Sequence, residues 1–363
     1  MASVAEKIQK RKRIVRILMA VLAVLLLVFV GVGAYMVMLW KNGDRLNRAT
    51  MFIPEQAEGI TFARDESGEA QPTETPPPYA GQATVAYNGK EYVLDEDIFS
   101  ILFMGIDTTD KEQFAQIGLT AHQSDSLILA AVDPEQQKLV MINIPRISMV
   151  DVKQYDANFQ YARTTRSPIC IQYAFGDGKQ MSCNLTREAA SRLLFNLPIS
   201  RYISLNLDGL LAANDAIGGV TLTLQEDFTA SNHKMKKGVT YTLLGKDAES
   251  FVRGRMQEGL DGTTMTRTKR HAQYYKAFFA AAKNKLKEDP MFAFNLYSSL
   301  GGSVQTDLSV EEIIYLSKVV ANMDMDEEDI YTLEGTVENE ELTVDDESLR
   351  DLLIRVFYKE ITE

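Results

Sequence analysis

Three apolar runs, ILFMGI at 101–106, LILAAV at 127–132 and LVMINI at 139–144, show little alternation of polar and apolar residues. Short runs this uniformly apolar read as buried strands, so the chain must build a sheet whose strands are covered. DPEQQK at 133–138 is a polar turn, which makes the second and third runs an antiparallel hairpin. Asp125 opens the second strand and Arg146 follows the third, so both are predicted at one edge of the sheet.

Other elements follow from local chemistry. VAYNGKEYVL at 85–94 places Asn88-Gly89 where a type I′ hairpin turn needs two residues of positive φ. Residues 184–198 read as a helix capped by Thr186. Residues 199–224 read as a strand, a helix, a Gly-Gly turn and another strand. Lys246–Met256 is predicted as a short helix. Residues 267–288 form the longest one, with Tyr275, Phe278, Phe279, Ala282 and Leu286 on its core face. Residues 306–363 alternate two helical segments with a strand-like IYTLEG.

The N-terminus has a different character. Six of its first sixteen residues are basic and only Glu6 is acidic, whereas the whole chain is net −12. Ile17–Trp40 follows with 24 uncharged residues, and about 20 span a bilayer as a helix. The basic flank predicts a cytoplasmic N-terminus, with everything beyond Trp40 outside the membrane. A cleaved signal peptide is the other reading, since GVGA at 31–34 is rich in small residues. Residues 41–83, with Pro76-Pro77-Pro78, read as an extended stalk. Export permits a disulfide between Cys170 and Cys183; the alternative is two free thiols.

The acidic balance argues against general nucleic-acid binding. Walker, GxGxxG, GxSxG and HExxH motifs are missing, and His122, His233 and His271 are too scattered for zinc. What remains is carboxylates and arginines at element ends: Asp107, Asp125, Arg146, Arg253, Arg255, Asp261, Arg267 and Arg270. Any one alone reads as a solvated surface charge. As a group they point further. Arg267 and Arg270 sit three apart at a predicted helix start, where cations oppose the dipole unless an anion is present. Gly254 lets Arg253 and Arg255 turn toward one ligand. Guanidinium forks match phosphate oxygens, and two nearby acids suit Mg²⁺. The sum predicts a pyrophosphate site with one divalent cation.

The order of these motifs resembles the LytR-CpsA-Psr family: ILFMGID, SDS, a hairpin ending in IPR, QYAFGDG, DAIGGV, VRGR, then R-x-x-R leading a long helix. The resemblance runs from about 98 to 288. It implies an α/β fold, a mixed central β-sheet flanked by helices, enclosing a groove for a polyprenyl lipid. It also implies transfer of a cell-wall glycopolymer, such as teichoic acid or capsule, from a polyprenyl-pyrophosphate carrier to peptidoglycan, with Mg²⁺ or Mn²⁺. On this resemblance Asp107 and Asp125 hold the metal, and Arg146, Arg253, Arg255, Arg267 and Arg270 bind pyrophosphate. Asp261 activates the acceptor hydroxyl or holds the metal, with Arg267 beside it in the catalytic set. Departures are Gln123 where the family has Arg, Ile147 where it has an acid, His271 where it has Gln, and a longer gap from Asp261 to Arg267.

The expected organisation is a cytoplasmic tail 1–16, a transmembrane helix 17–40, a stalk 41–83, a β-hairpin extension 84–97, a catalytic domain 98–289 and a C-terminal α/β extension 290–363. The expected protein is a single-pass enzyme of the cell membrane, its C-terminal domain facing a Gram-positive-type envelope. Two other readings use the same residues: hydrolysis of the pyrophosphate, and a non-catalytic lipid-binding or scaffolding protein.

Overall fold

The computed structural model describes residues 84–109, 122–230, 233–254 and 264–361, together with Met38. The predicted tail, membrane span and stalk therefore lie, Met38 apart, outside the described residues. Among the described residues no helix is long and apolar enough to cross a membrane.

The strands in chain order begin with β1 (Thr84–Tyr87) and β2 (Lys90–Leu94), then β3 (Phe99–Ile106), β4 (Ser124–Asp133), β5 (Lys138–Ile144), β6 (Met149–Tyr155) and β7 (Tyr161–Pro168). A 3-10 helix at Ile169–Phe175 leads to α1 (Gln180–Leu193), β8 (Arg201–Asn206) and α2 (Leu207–Ala216). A small lobe follows: β9 (Val220–Thr223), β10 (Phe228–Ala230), β11 (His233–Met235), β12 (Thr240–Leu243) and α3 (Gly245–Arg253). Then come α4 (Thr264–Glu288), α5 (Phe292–Leu300), β13 (Val304–Thr306), α6 (Val310–Asn322) and β14 (Ile330–Thr332). The described chain closes with β15 (Gly335–Glu338), β16 (Glu341–Val344), α7 (Asp346–Phe357) and β17 (Tyr358–Glu360).

The three apolar runs become the middle of a six-stranded mixed sheet of order β13-β8-β3-β4-β5-β14. β3, β4 and β5 pair antiparallel, while β8 and β14 join them in parallel. The two edge strands, β13 and β14, come from the last fifth of the chain. Side-chain alternation divides the sheet into two faces. Leu102, Met104, Leu127, Leu129 and Ile142 enter a core with the 3-10 helix, α1 and α7. Phe99, Ile101, Ala130, Val132 and Leu139 face α4, α5 and α6 on the other side.

Local expectations fare unevenly. Asn88 and Gly89 turn the first hairpin at φ 48° and 76°, as a type I′ turn requires. Gly218 and Gly219 make the predicted turn at φ 90° and 85°. Helix α1 begins before Thr186, at Gln180, because Asp177 takes the backbone N–H groups of Lys179 and Ser182 at 2.8 and 3.2 Å. Thr186 is interior and donates to the Ser182 carbonyl at 2.8 Å. Helix α4 starts at Thr264, so Arg267 and Arg270 do not open it.

The predicted disulfide is absent: Cys170 and Cys183 are free and buried. Each thiol is engaged elsewhere. Cys170 contacts the Arg146 guanidinium, whereas Cys183 in the first turn of α1 lies against Tyr173 and Ser204. Burial pushes the Cys183 thiol up to about 12 from 9.0. Between those values the unfolded chain ionises Cys183 while the folded chain keeps its proton, so stability falls as pH rises. Titration of the denatured, unreduced protein is expected to count two thiols per chain; none would restore the bridge. Leu129 is fully buried, and Leu129→Ala is expected to cost about 2–5 kcal/mol in urea unfolding.

Candidate functional site: a charged mouth on an apolar cavity

The face of the sheet opposite α1 is not packed solid. A cavity of about 720 Å³ lies between β3, β4, β5 and β8 and helices α2, α4, α5 and α6. Its walls are apolar, with Ile101, Phe103, Ile128 and Met141 from the sheet and Phe278, Phe279 and Leu316 from the helices. The predicted core stripe of α4, Tyr275 to Leu286, lines this space. Tyr274, missed by that pattern, is the residue buried in the small lobe, and its hydroxyl donates to Asn214 at 2.8 Å.

One end of the cavity is polar, where Asp107, Asp125, Ser126, Arg253 and His271 meet. Sheet register puts the acids there. Gly105 pairs with Ser126 and Ile106 with Ser124, so Asp125 is the extra residue of a bulge in β4. A bulge re-aims a side chain that strict alternation would hold on one face. Asp107 follows β3, its N–H bonded to the Gln123 carbonyl at 3.2 Å.

The predicted hairpin geometry holds. β4 and β5 pair from Leu127 with Ile144 to Asp133 with Lys138, and the Arg146 and Asp125 side chains meet at 3.0 Å. Arg146 also donates to the Gln123 side-chain oxygen and, at 3.4 Å, to Cys170 Sγ. Burial alone would lower the Arg146 pKa, but Cys170 and Asp125 beside it leave it raised, so the guanidinium stays charged. Burial likewise raises the Cys170 thiol, against the pull of Arg146. Arg253, at the end of α3, reaches Asp107 at 3.1 Å and Glu249 at 3.1 Å. Four of the predicted residues are thus two ion pairs at one mouth.

The other predicted residues divide. Arg270 is buried, donating to the Gly254 carbonyl and lying over the Phe228 ring at 5.3 Å. It ties α4 to the end of α3. Arg267 is in α4, but its side chain is not described; Arg255 and Asp261 lie outside the described residues. Ile147, where the resemblance leads one to look for an acid, is buried.

Sequence reasoning missed several residues of the mouth. Gln123 was noted only as a missing arginine, yet its carboxamide oxygen accepts from Arg146. The Tyr275 hydroxyl and Ser126 hydroxyl bond across the cavity. His271 holds the Val252 carbonyl at 2.8 Å through Nε2. Ser126 follows Asp125 directly, the one clue available beforehand; the others required the packing of α4 on the sheet.

The chain belongs to the LytR_cpsA_psr family, whose model matches residues 63–352. It is similar to the polyisoprenyl-teichoic acid–peptidoglycan teichoic acid transferase TagU of Halalkalibacterium halodurans, at 27% identity over 221 residues, covering 60% of this chain and 63% of that one. The match therefore spans less than two thirds of that relative's length. Its fold is similar to the crystal structure of B. subtilis TagV, with a TM-score of 0.54 and 23% identity over 72% of this chain and 98% of that one. It is also similar to a structure described as TagT bound to LIIa-WTA, with a TM-score of 0.51 and 19% identity over 72% and 89% of the two chains.

Proposed function

We propose that the protein is a membrane-anchored, extracellular transferase that moves a glycopolymer from a polyprenyl-pyrophosphate carrier to peptidoglycan. The observation that supports this most is the joining of an apolar cavity to a mouth of two arginines and two acids. An amphiphile with a long apolar tail and a phosphorylated head has that division of chemistry. Family membership and the transferase name of the relative point the same way.

On this reading the tail lies between the sheet and α4, and the pyrophosphate meets Arg146 and Arg253. Both guanidiniums hold carboxylates. Phosphate oxygens would take the place of those carboxylates on the arginines, which frees Asp107 and Asp125. Two carboxylates together with substrate oxygens are a donor set that Mg²⁺ or Mn²⁺ accepts, so the residues fit the implied metal. A cation bound there would offset charge on the phosphates. An acceptor hydroxyl attacks the sugar-proximal phosphorus, the bond to the lipid phosphate breaks, and polyprenyl monophosphate leaves. Asp261 is the proposed acceptor of the hydroxyl proton, and Arg255 and Arg267 are proposed to complete the clamp. Positioning and charge stabilisation carry most of the rate.

Full-length protein in nanodiscs is expected to bind polyprenyl pyrophosphate, and Arg146→Ala to weaken binding roughly 10- to 100-fold, as for loss of a charge-assisted fork. Unchanged affinity would remove Arg146 from the clamp. Asp125→Asn is expected to cut turnover by at least about a hundredfold. Chelation should abolish turnover and added Mg²⁺ or Mn²⁺ restore it. Products that are the same with and without peptidoglycan would indicate hydrolysis, and lipid binding without turnover a carrier-binding role.

A further inference from the structure

The hairpin β6–β7 has no place in the reaction described so far. Its two legs are rooted at the charged mouth. β6 starts three residues after Arg146, and β7 ends two before Cys170, whose N–H bonds the Arg146 carbonyl at 3.2 Å. Ile169 N–H bonds the Ser148 carbonyl at 2.8 Å, closing the root. Val150 and Val152 anchor one face of β6 in the core. Beyond that root β7 is exposed almost throughout, and among the described residues β6 is its only strand partner.

The outer face is ordered. Tyr155 pairs with Tyr161, Lys153 with Thr164 and Asp151 with Arg166, so these side chains share one surface. The two tyrosine rings meet edge to face at 6.0 Å, and Tyr161 is 58% exposed. Its hydroxyl lies 3.0 Å from that of Thr164. From Tyr161 to Arg166 the stripe is roughly 17 Å long at about 3.4 Å per residue. The sequence from 151 to 168 holds three cations to two acids within a chain of net charge −12.

We infer that this arm is a docking platform for the acceptor, an anionic glycan strand laid along the tyrosine face toward the mouth. The inference rests on the transfer reading above. Aromatic faces interleaved with hydroxyl groups suit a ligand with apolar ring faces and hydroxyls. The cations beside them are paired, Lys153 with Glu188 at 3.0 Å and Arg166 with Asp151 at 3.8 Å, and glycan carboxylates would compete for them. Continuity of both legs with Arg146 brings a strand bound there to the phosphorus it must meet. A membrane surface fits less well, because the turn at 156–160 reads DANFQ, with an acid, two amides and a single aromatic residue.

The test uses full-length protein in nanodiscs and, as probe, soluble glycan strands released from peptidoglycan by an amidase. The double variant Tyr155→Ala/Tyr161→Ala is expected to lower glycan affinity on the order of tenfold and raise the acceptor KM in parallel. Tyr161→Phe should keep most of the affinity, and polyprenyl-pyrophosphate affinity should be unchanged in both. Unchanged glycan affinity in the double variant would overturn the inference, as would loss of liposome binding in place of glycan binding. Wild-type protein that binds glycan through the arm but no polyprenyl pyrophosphate would overturn the transfer reading while leaving the arm in place.

Discussion

The register of β4 against β3 and β5 is the constraint on which the rest depends. Each strand has one face in the core under α1 and α7 and the other on the cavity. A slip of one residue would exchange the two sets of side chains. It would also separate Asp125 from Arg146, whose meeting follows from Leu127 lying opposite Ile144. The hairpin turn at 133–138 is one pin on this register; Asp133 accepts from the N–H groups of Glu135 and Gln136 at 2.9 Å. The bulge at Asp125 is confined to the end of the strand, where it alters one side chain without disturbing the pairs behind it.

Burial explains the company Arg146 keeps. Its side chain is 14% exposed, and a buried guanidinium without an anion costs several kcal/mol. Asp125 balances the charge, while Gln123 and Cys170 take up donors that a single carboxylate leaves. Gln123 therefore has a structural reason to be where it is. An arginine at 123 would put a second cation against Arg146. Arg253 is half-exposed and paired with both Asp107 and Glu249, so its geometry is looser. Arg146 is thus the fixed half of the mouth and Arg253 the adjustable one.

Much of this was legible in the sequence because it depends on short-range chemistry. Uniform apolar runs gave the central strands, Asn88-Gly89 and Gly218-Gly219 gave turns, and hairpin connectivity joined Asp125 to Arg146. Failures came where distant packing decides. Two cysteines close in sequence suggested a bridge, but the 3-10 helix and α1 turn their thiols to different neighbours. Arg267 and Arg270 were read at a helix start; Thr264 begins that helix, and the small lobe places Phe228 beneath the Arg270 guanidinium. β13 and β14 are three residues each and read as edges of the central sheet only once β8 and β5 are in place. The cavity was legible only through the family resemblance. Helical periodicity cannot distinguish a face that packs from one that lines a space.

On the proposed function, that cavity also bears on which half of the ligand would be selected. An isoprenoid tail leaving a bilayer for apolar walls exchanges one hydrocarbon environment for another. The usual gain of about 25 cal/mol per Å² of surface removed from water is then largely unavailable. Preference for a particular lipid must come from the head, at the mouth. There the ion pairs would act against binding, since each carboxylate would have to be displaced from its guanidinium. A pyrophosphate carries more charge than either carboxylate and offers oxygens to both arginines at once. In a site of reduced dielectric that difference is larger than in water. An uncharged prenol would fill the cavity equally well and leave both pairs intact, gaining nothing at the mouth. On the proposed reading the apolar space would admit a class of lipid, and the Arg146–Asp125 pair would set the threshold that only a multiply charged head exceeds.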